Sequence, residues 1–514
     1  MKPCKPFLPL GLAASLALIS CSGAPKGSGG NGTNKVSFVL VADTLPSNLG
    51  LISFRINVNS VTLTSSTGTN TTLTINGGNG VTVDLVRAQS DSAFLGTLTN
   101  VGTGGISSFT VSLSNAEVAF FNGTGATITN LSPQCLANTV CSAALTGTGT
   151  PVITQSESVN GNTGFGIDFN LANALSVKAG ALTLNLTNST ANTSLNVVGA
   201  FALPRANSNL ATGELDLIED FTGVVAVSGS SVTIASNENV GRGSLKGTVN
   251  SSTVLDTDPT GTLCKSPTPG SASSCVANSQ MASMDAVLNS DGTFTVQELE
   301  PLLATPVLDT VEGTVVSINS GSQTQFGLIV TDLFPAASNS LIGSLRIGAP
   351  LTVNLAANVK TFLVDTKGLP VAAQFPNNFG FFSGATNTTA MHLGQNVTVH
   401  VTAFTAANGT TAASASTDTV TLRWSRFIST VSIASAPQFS VTALPAQFGV
   451  TGASTFQVQS FGGTQGTEGV TNLDGITSTS GLAQGSPVAV RALFIENAGD
   501  TLTPAFFAAK VRQH

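Results

Sequence analysis

Short segments in which apolar and polar residues alternate recur along most of the chain, and they constrain its fold more than any other feature. Residues Val36 to Val41 and Phe54 to Val58 place apolar side chains at every second position, the period of a strand with a buried face. The phase slips near Asn59-Ser60, which predicts a β-bulge. Turns rich in Gly and Asn, such as Gly77-Gly78-Asn79-Gly80, separate the segments. The pattern predicts an all-β chain that begins with a β-sandwich.

The composition excludes several classes of protein. Hydrophobic residues make up 41% of the chain, which is too many for intrinsic disorder. The charged residues, only 9%, are scattered along the sequence, and without a basic patch the chain is not expected to bind nucleic acid. The 28 Phe residues, with one Trp and no Tyr, indicate an aromatic core rather than a sugar-binding face.

The N-terminus has the layout of an export signal. Lys2 and Lys5 precede an apolar run, Phe7 to Ile19, that ends in Leu18-Ile19-Ser20-Cys21. This ending resembles the lipobox of bacterial lipoproteins, and the resemblance implies cleavage after residue 20 and lipid on Cys21. The alternatives are an ordinary cleaved signal or an uncleaved anchor, although the run is short for a membrane span. By the same resemblance, Ser22 favours the outer membrane over the inner membrane.

We therefore predict a signal peptide over residues 1–20 and a lipidated, flexible linker over 21–34, where Gly and Ser dominate. Removing Lys2 and Lys5 from the 19 basic residues leaves 17 against 26 acidic residues, a mature net charge of −9. The lipid is then the one expected contact with a membrane.

The cysteines fit an exported protein. Once Cys4 and Cys21 are assigned to the signal and the lipid, four cysteines remain, and an even number in an exported chain indicates disulfides. Three pairings are possible, and local pairing within each loop is favoured. A metal site is disfavoured because CxxC spacing is missing and the histidines lie far away in sequence. The residues concerned are Cys135, Cys141, Cys264 and Cys275, and His392, His400 and His514.

Residues 35–203 resemble a known family. Three segments carry the similarity: Val83-Asp84-Leu85 with Ala88-Gln89, then Phe94-Leu95-Gly96, then Phe109 to Leu113. They are similar to the family catalogued as domain of unknown function 4382, which follows the lipobox and a short linker in bacterial lipoproteins. The resemblance implies a location and a β-sandwich, but no chemistry.

A weak repeat follows a linker that contains Pro204. The segments Phe221 to Val227, Val311 to Ile318 and Phe427 to Ile433 are each followed by a second strand-like segment. Later strands led by glycine, at Gly394 and Gly485, add to the repeat. It resembles small OB-like barrels and the family catalogued as domain of unknown function 5666, although β-rich sequence can look self-similar by composition alone. We expect a β module at 213–305, an OB-like β module at 306–408 and a β module at 409–514.

The sequence contains no recognisable catalytic signature. Nucleophile elbows, HExxH, P-loops and Rossmann glycines are missing, and the glycine-rich stretch Gly241 to Gly247 is expected to be a turn-rich strand. The segment Asp256 to Gly261 is similar to the start of a calcium loop, but Pro259 interrupts the pattern. The densest acidic group is Glu214, Asp216, Glu219 and Asp220. It is expected to be a solvated connector, with a calcium site as the alternative. Glu298 and Glu300 are expected at a polar strand end.

These observations favour a non-enzymatic lipoprotein of the cell envelope that presents β-domains for binding or for a structural role. Its partners would be the membrane, through the lipid on Cys21, and an envelope protein or glycan, and no cofactor is expected. The alternatives are an exported hydrolase with an unrecognised carboxylate site and a calcium-stabilised, adhesin-like stalk. The hydrolase would require acidic side chains that converge in a pocket.

Overall fold

The computed structural model describes residues 32–43, 48–236, 241–255, 264, 268–302, 308–336, 338–357, 360–409, 411–449, 454–496 and 504–513. The predicted signal peptide, Cys21, Asp256 to Gly261 and His514 lie outside these residues. Strands account for 54% of the chain and helices for 9%, so the predicted all-β class is confirmed. In the described part, none of the helices is both long and apolar enough to cross a membrane.

The first unit, called the sandwich, spans residues 34–203. Its strands form two main sheets of order β12-β9-β1-β5 and β3-β2-β6-β7, with β4 beside β2 and β8 beside β6. A separate hairpin joins β10 to β11. The strands are β1 (Asn34–Asp43), β2 (Leu49–Ser65), β3 (Asn70–Thr74), β4 (Val81–Asp84), β5 (Ala93–Val101), β6 (Gly104–Asn122), β7 (Val140–Gly149), β8 (Val152–Val159), β9 (Thr163–Asn170), β10 (Leu175–Lys178), β11 (Ala181–Leu184) and β12 (Val198–Leu203).

Aromatic side chains from both sheets fill the core of the sandwich. The Phe109 ring of one sheet lies 6.2 Å from Phe38 and 5.0 Å from Phe165 of the other, measured between ring centroids. The register between β2 and β6 shifts between Val58 and Ser60, which confirms the predicted bulge. Phenylalanine therefore serves as core here, as the composition predicts.

Three further units follow, called ring A (residues 214–302), ring B (309–423) and ring C (425–513). Ring A contains β13 (Glu214–Ser228), β14 (Ser231–Ala235), β15 (Ser244–Thr248), β16 (Val254–Leu255), β17 (Met281–Asn289) and β18 (Phe294–Pro301). Ring B contains β19 (Asp309–Ile318), β20 (Gln325–Phe334), β21 (Pro350–Leu355), β22 (Thr361–Val364), β23 (Asn396–Val401), β24 (Ala403–Thr405), β25 (Ala413–Thr417) and β26 (Thr419–Arg423). Ring C contains β27 (Ser425–Ile433), β28 (Gln438–Thr442), β29 (Thr455–Gln459), β30 (Asn472–Asp474), β31 (Pro487–Phe494) and β32 (Phe506–Gln513).

The three rings share one strand topology. In ring A the order β15-β14-β13-β17-β18 closes through a parallel contact between β15 and β18. Ring C repeats this order as β29-β28-β27-β31-β32, closed by a parallel contact between β29 and β32. In ring B the last strand is interrupted at Asp418, so that β25 pairs with β21 and β26 pairs with β23. The weak sequence repeat therefore corresponds to the first two strands of each ring.

Glycine occurs in the first strand of rings A and B because the second strand approaches closely there. A Cβ atom at Gly223 would lie 2.1 Å from the carbonyl oxygen of Ala235, and one at Gly313 would lie 2.5 Å from that of Ile329.

The module boundary that the sequence predicts between residues 408 and 409 is wrong. It falls inside ring B, because strands β25 and β26 complete the sheet of that ring.

The few helices are short and connect strands. The α-helices are α1 (Leu171–Ala174), α2 (Val371–Gln374) and α3 (Pro376–Ser383). Single 3-10 turns occur at Ile75–Gly78, Arg87–Gln89, Thr193–Leu195, Ala272–Ser274, Thr388–Ala390, Ala446–Phe448 and Thr479–Gly481.

Apolar packing joins neighbouring units. Val39 of the sandwich is buried in the core of ring A, and the Phe94 and Phe294 rings lie 4.8 Å apart. Phe461 and Phe507 of ring C are buried in the core of ring B. Ile52 of the sandwich also packs with Ile329 of ring B, and Met281 of ring A packs with Phe334 of ring B, so the four units lie against one another.

Candidate functional site

A connected network of ion pairs lies where the sandwich and the three rings meet, and we call it the charged junction. Sixteen side chains, none more than 25% exposed, are linked by N···O distances of 4.0 Å or less. Nine of the chain's 26 acidic residues take part, so the charges that look scattered in the sequence converge in the fold. The junction consists of Asp91, Glu219, Asp220, Asp285, Glu298, Glu300, Glu312, Asp332 and Asp365, with Arg87, Arg242, Lys367, Arg423, Arg426, Arg491 and Lys510.

Asp220 is the centre of this network. Lys367 Nζ lies 2.8 Å from its Oδ1, Arg491 Nη1 lies 3.2 Å from its Oδ2, and Arg426 also contacts Oδ2. Burial opposes ionisation of Asp220, but Lys367, Arg491 and Arg426 outweigh it and hold the pKa of this carboxyl well below its usual value. Asp220 is therefore a buried anion shared by rings B and C.

The backbone at Asp220 is strained in a way that aims its side chain. Its φ is +50°, and the register between β13 and β17 shifts between Ile218 and Phe221. Such a shift marks a bulge, which changes the direction of side chains at that point. The amide of Asp220 donates a 2.7 Å hydrogen bond to Oδ1 of Asp285 on β17, which fixes the bulge.

Lys367 brings four carboxylates of ring A together from a turn in ring B. Besides Asp220, its Nζ lies 3.6 Å from Glu300 and 3.9 Å from both Asp285 and Glu298. The side chain of Lys367 is only 6% exposed. Desolvation lowers its pKa, but the four carboxylates outweigh this effect and raise the pKa well above its usual value.

Arginines attach the sandwich to the rings. Arg87 contacts Asp332 and Glu312 of ring B at 3.2 and 3.5 Å. Asp91 accepts a 2.8 Å bond from Arg426 of ring C. Arg512, whose side chain is fully buried, contacts Asp474 at 2.6 Å and donates to the carbonyl of Asp91 at 2.9 Å.

The junction overturns two expectations about the acidic residues. Glu219 and Asp220 were expected in a solvated connector, but they are 6% and 4% exposed, because they lie within strand β13 between the buried residues Ile218 and Phe221. Glu300 is 2% exposed rather than at a polar strand end, because β18 packs against Arg423 and Lys367.

The buried cations in and beside the junction were missed because they are far apart in sequence. Arg491 lies inside the apolar strand β31, and Lys510 and Arg512 interrupt the apolar strand β32. A charged residue inside such a run must be paired, since its strand is buried on both faces. A charged residue inside an apolar strand was therefore the signal in the sequence that these cations are paired, although it does not identify the carboxylate that pairs with each.

A polar cleft of about 360 Å³ adjoins the junction. Its walls come from ring A, ring C, the turn after β22 and the linker that follows β12. Its charged lining comprises Glu214, Asp216, Glu219, Asp285, Glu298, Glu468 and Asp474, with Arg205, Lys367, Arg491 and Lys510. Three members of the acidic group noted in the sequence thus line this cleft, and the fourth, Asp220, contacts Lys367 and Arg491 of its lining.

Two carboxyl groups of the cleft have raised pKa values. Burial, with Asp220 and Glu219 nearby, raises the pKa of Asp285 to about 6, against the opposing effect of Lys367. Burial also raises the pKa of Asp216. Carboxyl groups with raised pKa values are common at functional sites, although structural ion pairs produce them too.

In the described part of the chain, the cysteines and histidines lie apart from the cleft lining. Cys135 is bonded to Cys141 and Cys264 to Cys275, which is the local pairing favoured by the sequence. His392 Nε2 lies 3.0 Å from the carbonyl oxygen of Glu496, and His400 Nδ1 lies 3.9 Å from Asp418. No three His, Cys, Asp or Glu side chains in the described residues are arranged to hold a metal ion.

Comparison with protein-family models, with curated proteins and with solved structures gave no match for this chain. The resemblances to the two families of unknown function therefore stay predictions from the sequence.

Proposed function

We propose that the chain is a non-enzymatic lipoprotein of the bacterial cell envelope, anchored by lipid on Cys21, that holds four β units together and offers a polar cleft for binding. The lipobox-like ending at Cys21 supports the anchor, and the observation that carries the rest of the proposal is the charged junction. Two of its ion pairs, both made by Arg423, lie within ring B. Each of the others joins the sandwich or ring A, before position 303, to ring B or ring C, after position 307.

The two sides of the junction have opposite charge. The part before position 303 contributes six carboxylates and two arginines, and the part after 307 contributes three carboxylates and five cations. Removing one partner of a buried ion pair is costly, whereas the pair itself adds little stability over apolar packing. Such a network therefore favours one arrangement of the units over others, which suits a protein that presents a fixed binding surface.

The anchoring part of the proposal is tested on the full-length protein in a bacterial host with a lipoprotein-processing pathway. Labelling with radioactive palmitate should mark the wild type and not the Cys21→Ala variant, and that variant should leave the membrane fraction. Cys4→Ala is the matched control and should stay labelled. Equal labelling of the wild type and Cys21→Ala would overturn the anchor.

A hydrolase is the second candidate, because the acidic side chains converge on a cleft rather than scatter over the surface. Asp285 and Glu298 are paired across β17 and β18, and Asp285 has a pKa of about 6, which suits a general acid. Against this reading, Oδ1 of Asp285 already accepts the amide of Asp220. Hydrolysis of envelope glycans or peptides that Asp285→Asn abolishes would establish this function, and its absence in the wild type would exclude it.

A further inference from the structure

The position and size of the polar cleft suit a small molecule. Ring A supplies β13 and β17, ring C supplies β30 and the loop from Phe461 to Thr471, and ring B supplies the turn at Lys367. The side chain of Glu468 packs against Gly368, where an added Cβ would lie 2.2 Å from its Cγ, so rings B and C are in contact at the cleft. A volume of about 360 Å³ is within the usual range of small-molecule sites.

Three of the four cations in the lining are already paired with carboxylates. Lys367, Arg491 and Lys510 belong to the charged junction, where Arg491 Nη2 lies 2.8 Å from Glu219 and Lys510 also contacts Glu219. These three cations therefore hold the cleft together and leave little charge for an incoming anion.

Arg205 is different from the other three. Its guanidinium lies over the Phe201 ring at 4.2 Å, and in the described part of the chain its side chain makes no ion pair and no hydrogen bond. Nη2 is buried without a partner. Burial, together with the nearby Arg512, lowers the pKa of Arg205 more than Asp474, Asp168 and Asp216 raise it. A buried donor without a partner costs free energy, and a guanidinium binds a carboxylate in a two-pronged geometry.

The rest of the lining has an excess of negative charge. Seven carboxylates face four cations, and four of the carboxylates are outside the charged junction: Glu214, Asp216, Glu468 and Asp474. Asp285 and Glu298 share Lys367, and no three carboxylates of the described residues are arranged to hold a metal ion. An ammonium group fits this arrangement better than a metal does. No aromatic ring is present among the described lining residues, so the usual stacking platform for a sugar is missing.

Taken with the binding role proposed above, on which this inference rests, the geometry points to a ligand that carries both charges. We propose that the polar cleft binds a small zwitterion, either a free amino acid or a short peptide with free ends, with its carboxylate on Arg205 and its ammonium group on the opposing carboxylates. Leu215, Val287 and Leu473 in the lining would contact its aliphatic part.

The test is isothermal titration calorimetry on the full mature chain carrying Cys21→Ala, which keeps it soluble. The probes are alanine, trialanine, N-acetyl-trialanine and trialanine amide, with succinate and cadaverine as single-charge-type controls. We expect trialanine or alanine to bind, and acetylation and amidation of trialanine each to weaken binding at least tenfold. No binding by either zwitterion, or binding by cadaverine or succinate alone, would overturn the proposal.

The Arg205→Gln variant tests the assigned carboxylate contact. It should bind trialanine and its amide equally, because the group that distinguishes them is gone, while Arg346→Gln, at an exposed arginine outside the cleft, should keep the wild-type preference. If Arg205→Gln still prefers trialanine to trialanine amide, the assigned contact is overturned. If this variant folds poorly, the comparison of trialanine with its amide on the chain with Arg205 intact tests whether the cleft binds a carboxylate. Peptide binding and lipidation are measured in separate experiments. If the titrated chain binds no peptide while the wild type is labelled with palmitate on Cys21, this inference is refuted and the anchoring proposal stands.

Discussion

Lys367 Nζ lies 2.8 Å from Asp220 Oδ1, although the two residues are 147 positions apart and belong to different rings. Asp220 lies on a bulge of ring A, and Lys367 lies in a turn of ring B that adjoins ring C. Both side chains are 6% exposed. This ion pair therefore connects units that the chain itself joins only through linkers.

Replacing Lys367 with Met should destabilise the protein strongly, because four carboxylates of ring A, three of them buried, would lose their shared cation. We expect a loss of about 3–5 kcal/mol in the free energy of unfolding. Urea denaturation followed by the fluorescence of Trp424, the single tryptophan, measures this loss. Lys246→Met, at an exposed position of ring A, is the matched control and should change stability little. A loss for Lys367→Met as small as that of the control would contradict the assigned role.

Asp285→Asn should stabilise the protein at neutral pH. The folded pKa of about 6 is raised above the ordinary 3.8, so the ionised form is disfavoured by folding. The contribution of Asp285 to stability is therefore favourable below about pH 4, falls as the pH rises through 6 and stays low above it. At pH 7.5 the variant should gain up to about 3 kcal/mol, and the gain should vanish near pH 4. Denaturation curves at several pH values test this, and a gain that does not depend on pH would refute it.

Asp220→Asn should have the opposite pH dependence. Its pKa is held well below the ordinary value, so its ionised form contributes stability above about pH 4, and that contribution is lost as the pH falls below 4. The variant should be less stable than the wild type by about 3–5 kcal/mol at pH 7. This difference should narrow steadily below pH 4. Thermal denaturation between pH 2.5 and 7 measures it, and an equal difference at both ends would exclude an ionic role for Asp220.

Replacing both Cys135 and Cys141 with Ser should have a modest effect, because their disulfide closes a short loop. The chain-entropy estimate gives about 2 kcal/mol for a loop of this length. The charged junction lies elsewhere, so the dependence of stability on pH should not change. Denaturation under non-reducing conditions at pH 5 and pH 7 checks both points, and an altered pH dependence would show that the loop and the junction are coupled.

The sequence predicts strands well here because strand formation is governed by local periodicity. The slip near Asn59-Ser60 predicts the observed bulge, and the repeat at Phe221, Val311 and Phe427 marks the first strand of each ring. Strand β9 was missed, because Thr163 to Asn170 is interrupted by glycine and its burial comes from pairing with β1 and β12. Helix α3 was missed because its helical residues are mostly Asn and Phe, which have weak helix propensity.

The charged junction could not be predicted in the same way. Its ion pairs join Asp91 to Arg426 and Glu219 to Lys510, residues separated by more than 250 positions. Local sequence shows that Glu219 and Asp220 are dense in charge, but their burial depends on the packing of the other rings. Acidic residues on a strand with no visible partner are usually solvated, and that general tendency led to the wrong expectation.

Differential scanning calorimetry of the soluble Cys21→Ala chain at pH 7 tests most directly whether the charged junction makes the four β units into one body. A junction that unites the units predicts a single transition whose calorimetric and van't Hoff enthalpies are equal, and its separation into several transitions when Lys367→Met is added. Separate transitions in the chain with an intact junction would contradict it.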